Sequence, residues 1–189
     1  MDTAFLKAKF EASLPYDQYV RSGTDAQYDN WKKVYDQVKL TADQQKLVGS
    51  FVRQINVLVM SGIWCGDCVQ QCPIIERIGE ANPQKIAIRW ADRDIHADLQ
   101  EKLVINGGHR VPVVVFMAED FTFAGWFGDR TLGRYRALAA RQLGPSCPLP
   151  GAPLDPNELV GQTQEWVDQF ERIHLMLRLS TRLRQKYND

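Results

Sequence analysis

The chain has 189 residues, 44% apolar and 24% charged, a composition that excludes disordered and fibrous classes and predicts one compact domain with additions. Its 23 Lys and Arg balance 23 Asp and Glu, so no net field draws it onto nucleic acid or an anionic membrane surface. The charge-free run Gln54 to Gly66 is 13 residues long, short of the roughly 18 that a spanning helix needs.

In chain order, the opening MDTAFLKAKFEASLP carries Asp2, Lys7, Lys9 and Glu11 where a secretory signal has its apolar core. A soluble, cytoplasmic chain with no nucleic-acid or membrane partner is predicted. Residues 1–53 read as a helical N-terminal extension. Trp31, Val34, Tyr35 and Val38 recur at helical spacing, with a loop around Leu14, Pro15, Gly23 and Thr24. Thr41 followed by Gln44 is a capping-box pattern, opening a further helix that holds Leu47, Val48, Phe51 and Val52. At Val57 to Met60 the pattern turns into a short continuous apolar run, the mark of a strand buried on both faces. A helix with Val69, Ile74, Ile75 and Ile78 follows and ends near Asn82 and Pro83. A second strand at Lys85 to Ala91 precedes a helix containing Leu99, Leu103 and Val104, closed by Gly107 and Gly108. Val111 to Met117 reads as a third strand, Phe121 to Phe127 as its hairpin partner, and Asp129 to about Leu143 as a helix.

This order over residues 55–144 predicts a mixed sheet with helices on both faces, because a parallel pair needs a crossover and an antiparallel pair only a turn. Five of the nine prolines lie from Pro145 to Pro156, a stiff linker over 145–156. Beyond it, residues 157–187 form one long C-terminal helix, whose stripe of Leu159, Trp166, Phe170, Ile173 and Leu177 needs a surface to dock on.

Three of the four cysteines, Cys65, Cys68 and Cys72, fall within eight residues, while Cys147 sits apart in the linker. Clustering of this kind suits metal or redox work in a reducing compartment, not a disulfide framework. Cys65 and Cys68 follow a buried strand and open a helix. There the free N–H groups and the helix dipole favour a thiolate, and two cysteines three apart can close a disulfide. A structural zinc site would need a second ligand pair. Cys72, His96, His109 and Cys147 show no paired spacing, so no metal and no organic cofactor is predicted. Cys72, flanked by Pro73 and apolar neighbours, reads as a buried inert thiol.

Trp64-Cys65-Gly66-Asp67-Cys68 resembles the tryptophan-led active-site motif of the thioredoxin superfamily. Pro73, five residues after the second cysteine, Val111-Pro112 and Gly125 match further marks of that family. The resemblance covers about residues 55–144, with the N-terminal helices and the last helix as additions. It implies a thioredoxin-like fold and a protein-disulfide reductase with Cys65 and Cys68 as its catalytic pair. It also implies that Trp64, Gly66, Asp67, Val111 and Pro112 bind substrate or tune the cysteines, with Val111-Pro112 cis and facing the disulfide. The partners implied are a disulfide-containing protein or small molecule, and a reductase or low-molecular-weight thiol that recycles the pair. The sequence departs from the family at Asp67, where proline is usual, and at Val59, where many members carry a buried acid.

An Asp67 carboxylate about 7 Å from the Cys65 sulfur opposes its thiolate by about 0.6 to 2.4 kcal/mol. The helix dipole favours that thiolate by about 0.3–2 kcal/mol. Moderate thiol acidity and a reducing couple are the expectation. Arg110 reads as a residue that biases the site towards acidic partners, or else as a solvated one. Arg178, Arg182 and Lys186 read as a solvated basic face. A redox-idle adaptor that binds a protein through the extra helices is the alternative, since about half the chain lies outside the core.

Overall fold

The chain opens with four helices, α1 (Thr3–Ala12), α2 (Tyr16–Arg21), α3 (Asp25–Gln37) and α4 (Ala42–Gly49). The structure is a computed structural model and describes residues 1–143 and 157–189. The linker 145–156 and Cys147 lie outside the described residues. Three of the four helices start on a side-chain oxygen. Asp2 accepts the Phe5 N–H at 3.2 Å, and Thr24 and Thr41 close reciprocal capping boxes with Gln27 and Gln44. α4 stops at Gly49, where the Ser50 N–H turns back to Leu47 O. Phe51 and Val52 therefore follow that helix instead of lying inside it, and Val52 is 51% exposed.

The sheet contains β1 (Ile55–Ser61), β2 (Ile86–Asp92), β3 (Val113–Met117) and β4 (Phe123–Gly128), in the order β2-β1-β3-β4. β1 runs parallel to β2, the link between them being α5 (Gly66–Glu80), and antiparallel to β3; β3 and β4 form a hairpin. All seven residues of β1 are buried, and the Asn56 amide among them donates to Ala118 O at 2.8 Å. β4 begins two residues later than the apolar pattern predicts because Phe121 sits in the hairpin turn with φ 62°. The predicted helix through Leu103 and Val104 is a single turn, α6 (Ala97–Gln100). Leu99 and Leu103 are buried but Val104 is 40% exposed, so the three do not share one helical face.

After β4 comes α7 (Leu132–Leu143), which starts three residues later than its composition suggests. The predicted C-terminal helix is two helices, α8 (Glu158–Leu179) and α9 (Thr181–Tyr187). Ser180 divides them. Its extended backbone ends α8, and its hydroxyl accepts the Leu183 N–H that opens α9. The expected stripe is buried or half-buried, with Trp166 and Phe170 at 0% exposure. Trp166 meets Phe127 edge-on at 5.0 Å between centroids and Phe170 meets Phe116 at 5.2 Å, so α8 packs against the β3–β4 hairpin. His174 stacks on Phe51 and its Nε2 accepts the Val52 N–H at 3.1 Å. The basic residues of α9 are not simply solvated, since Lys186 pairs with Asp120 at 2.8 Å and Arg182 pairs with the same carboxylate.

The N-terminal helices bring a second aromatic group to the edge of β2. Tyr16, Tyr19 and Trp31 surround Trp90 with centroids 5.3 to 6.3 Å away, and Leu14 pairs with the Trp90 backbone. Glu76, on the side of α5 facing this group, accepts the Trp90 indole N–H at 3.1 Å. Burial pushes its carboxyl up to about 7, helped by Glu80 and Asp17 and opposed by the Trp90 bond and Arg89.

A carboxyl raised on folding binds its proton in the native state over a pH range where the unfolded chain has lost it. Its contribution is full below about pH 4.3 and is lost as pH rises through the folded value. Glu76→Gln keeps an acceptor for Trp90 and removes the titration. In urea denaturation, the stability of Glu76→Gln relative to the wild type should rise between about pH 5 and pH 8, by up to about 3 kcal/mol. A constant difference would show that Glu76 is already ionised when folded.

Candidate active site

β1 is sealed along its whole length, so the chain leaves the core only past Ser61, at the carboxyl edge of the sheet. The connecting turn is held from two sides. Gly62 O accepts the Cys65 N–H at 2.9 Å, and the Trp31 indole of α3 donates to Ile63 O at 2.9 Å. A side chain at residue 62 would place its Cβ 3.0 Å from the Trp64 ring, so glycine lets the indole fold against the backbone. Cys65 is the N-cap of α5. Its carbonyl accepts the Val69 N–H at 2.9 Å, and its side chain caps nothing, which leaves the sulfur free.

Residues 46 apart meet here, for the Val111 carbonyl lies 3.7 Å from the Cys65 sulfur. The Val111–Pro112 bond is cis, and Val111 and Pro112 are buried as they lead into β3. Cys65 is half-buried, whereas Cys68 and Cys72 have 0% exposure. The hydrogen bond with Cys68, then burial, then the charge Cys68 would carry all push the Cys65 thiol up. The backbone N–H groups of Cys68 and Asp67 pull the other way and lose. Burial pushes Cys68 well above its usual value. The moderate acidity expected of Cys65 is therefore corrected: both thiols are pushed up, Cys65 first by Cys68 beside it and then by partial burial, Cys68 first by burial.

The charge effect expected of Asp67 on the Cys65 thiolate is corrected too. The Asp67 carboxylate points to α7 and the turn before it, where Arg134 Nε donates at 3.0 Å and Arg130 Nε at 2.8 Å. Burial alone would raise Asp67, but these two guanidinium groups hold it below the usual carboxylate range. No charge on Asp67 is among the main causes acting on Cys65. The network continues: Arg130 and Arg110 both reach the buried Asp129, Tyr135 donates to it, and Arg134 bridges to Glu158 of α8 at 3.0 Å. Glu165 of α8 accepts the Leu132 and Gly133 N–H groups at 2.6 and 2.7 Å, closing the start of α7. Arg110 is thus an internal partner of Asp129 as well as a neighbour of Val111-Pro112.

Trp64 is 52% exposed beside the sulfurs. Its indole donates to Asp94 at 3.2 Å, and the Arg93 guanidinium lies 5.1 Å from its ring centroid. Arg93 is anchored in turn on His109 O at 2.8 Å. Gly66 has open space where a Cβ would go, so packing does not demand glycine there. Sequence reasoning missed Arg93, Arg130 and Arg134. One local signal pointed at the last. The first turn of α7 has no acidic residue and carries Arg134 against the helix dipole, so an acid has to come from elsewhere in the fold. Among the described residues no three His, Cys, Asp or Glu side chains are grouped to hold a metal ion, and no helix is long and apolar enough to cross a membrane.

A thioredoxin family model matches residues 13–137. Among solved structures, a protein of unknown function from Pseudomonas aeruginosa is similar to this chain at a TM-score of 0.67 and 17% identity, covering 87% of this chain and 93% of that one. An HIV epitope-scaffold protein is similar at the same TM-score and 15% identity, over 88% and 95%. At these identities the likeness is one of fold. No curated protein matches in sequence.

The Asp67 clamp makes a thermodynamic prediction. Asp67→Asn and Arg134→Gln should each lose about 1–3 kcal/mol of stability, since each breaks charge-assisted bonds in a partly buried place. The double variant should lose less than the sum. Because the Asp67 carboxyl is held low, its contribution is full above about pH 4 and fades as pH falls through the folded value. Strict additivity in a denaturation cycle would show that the pair is not coupled.

Proposed function

The chain belongs to the thioredoxin superfamily, and from that premise we propose that it is a thiol-disulfide oxidoreductase acting as a reductant of protein or small-molecule disulfides. The observation that carries this reading is the contrast between the two sulfurs. Cys65 is reachable at the start of α5 under the Val111 carbonyl, and Cys68, three residues on in the same helix, is sealed from solvent. In the proposed reaction Cys65 loses its proton and its thiolate attacks one sulfur of the substrate disulfide. The substrate's other sulfur leaves as a thiolate and takes up a proton. Cys68 then attacks the Cys65 sulfur, the second substrate thiol departs, and Cys65–Cys68 is left as a disulfide. Two electrons pass from the dithiol to the substrate. A reductase or a low-molecular-weight thiol returns them.

The reducing direction follows from the environment of the pair. A site that raises both thiols disfavours thiolates, and a couple whose reduced form lacks a stabilised thiolate is a donor more than an oxidant. Trp64 offers exposed apolar area beside the sulfur for a substrate chain, and Val111-Pro112 forms the opposite wall. The adaptor reading is less favoured, because the extra helices turn their largest apolar residues inward, Trp31 and Trp166 both being at 0% exposure. A cytoplasmic, reducing setting suits free clustered cysteines.

The test is turnover of insulin disulfides with a small thiol as electron source. The wild type should accelerate reduction over the thiol alone, and Cys65→Ser should abolish the acceleration. Cys68→Ser should stall as a mixed disulfide on Cys65, seen as a mass increase reversed by reductant. A wild type that gives no acceleration, and keeps both thiols after mild oxidation, would overturn the redox reading in favour of the adaptor.

A further inference from the structure

Cys65 is presented between two walls, Trp64 and the Val111-Pro112 segment, and neither wall lies in the sheet. Trp64 stands in the turn after β1 with 52% of its surface exposed. The ladder of β3 starts at Val113, and Pro112 has no N–H to give. Packing alone does not fix a half-exposed ring, and the ladder does not fix residues 109–112, so both are held from elsewhere.

Arg93 reaches both. Its backbone is anchored first, the Arg93 N–H donating to Ser61 O at 2.9 Å just past the end of β2. From that base its guanidinium lies 5.1 Å from the Trp64 ring centroid, and Nη1 donates at 2.8 Å to His109 O, two residues before Val111. Asp94 completes the unit. One oxygen of its carboxylate accepts the Trp64 indole N–H at 3.2 Å, and the other lies 3.5 Å from Arg93 Nε. A planar guanidinium can lie against a ring and donate along its edge at the same time, which a single ammonium cannot. Arg110, on the segment itself, does not do this work, because it is held by the buried Asp129 at 3.3 Å.

Resting on the redox reading above, we propose that Arg93 is a positioning residue for disulfide exchange: it fixes the gap between Trp64 and Val111-Pro112, and so sets how well a polypeptide bearing a disulfide is received over Cys65. A small disulfide needs only the sulfur. A polypeptide also has to lay the chain on either side of its cysteine between the walls, and its binding depends on their being held in place beforehand. Arg93 exchanges no proton and no electron, and the chemistry at Cys65 and Cys68 does not pass through it.

Two substrates separate this role from a general one. With insulin as the polypeptide disulfide and a small thiol as electron source, Arg93→Ala should raise KM about threefold to tenfold, the worth of one hydrogen bond. The kcat should not change, which is the mark of lost binding. With 5,5′-dithiobis(2-nitrobenzoate) as the small disulfide, the first release of coloured thiolate by the reduced protein should keep its wild-type rate. Arg93→Lys keeps the charge but not the fork and should raise KM in the same direction; it stands in for the alanine variant if that one does not fold. Quenching of Trp64 fluorescence by acrylamide, taken as the difference between each protein and its Trp64→Phe counterpart, should increase when Arg93 is replaced. An unchanged KM for insulin would overturn the assignment, and so would equal slowing with both substrates. Trp64 quenching that stays the same would overturn it as well. A wild type that does not accelerate insulin reduction overturns the redox reading and this assignment with it. A normal wild type beside normal Arg93 variants overturns the assignment alone.

Discussion

The burial of β1 on both faces is the constraint from which the rest of the site follows. Seven consecutive residues are sealed, their backbone polar groups are paired by β2 and β3, and a strand so enclosed can release its chain only at an end. The sharp exit at Gly62 then turns straight into α5, which sets Cys65 at the rim and leaves Cys68 inside. The same enclosure explains why the Cys68 thiol is pushed up. A sulfur beneath the rim is held from solvent, so charge on it is disfavoured unless a donor is aimed at it.

Charges around the cysteines are kept in pairs. Asp67 is bound to Arg130 and Arg134, Arg110 to Asp129, and Arg93 lies over Trp64. What the sulfurs feel is burial and each other, and this makes a poor thiolate and, in the proposed chemistry, a good electron donor. The pairing also has a mechanical side. Asp67 is in the first turn of α5, its two arginines are at and before the start of α7, and Glu158 and Glu165 of α8 bind the same region. The added C-terminal helices thereby brace the helix that carries the cysteines, as Trp31 of α3 braces the turn in front of them. The additions outside the common core serve as its support.

Neighbouring residues determined much of this fold. The unbroken apolar run of β1, the Thr41–Gln44 capping box and the stripe from Leu159 to Leu177 are patterns of three to twenty residues, and the backbone periods that produce them act over that range. The cysteine pair was legible for the same reason, since a strand, a turn and the first turn of a helix are enough to say which sulfur is presented first. Ser180 shows the limit of such reading. One serine in an otherwise helical run both ends α8 and caps α9, and its sequence context does not distinguish that use from an exposed helical serine.

What only the tertiary structure decided is where each polar side chain finds its partner. Asp67 stands between two cysteines in the chain, and from spacing alone its charge belongs to them. In the fold it is claimed by arginines 63 and 67 residues away. Ser61 meets the Cys72 sulfur and Glu76 the Trp90 indole N–H only because the fold brings β1, β2 and α5 together. Secondary structure is set by interactions a few residues apart, so the sequence carries it openly. The ionisation of an acid or a thiol depends on water access and on charges within a few ångströms, and those are properties of the packed chain.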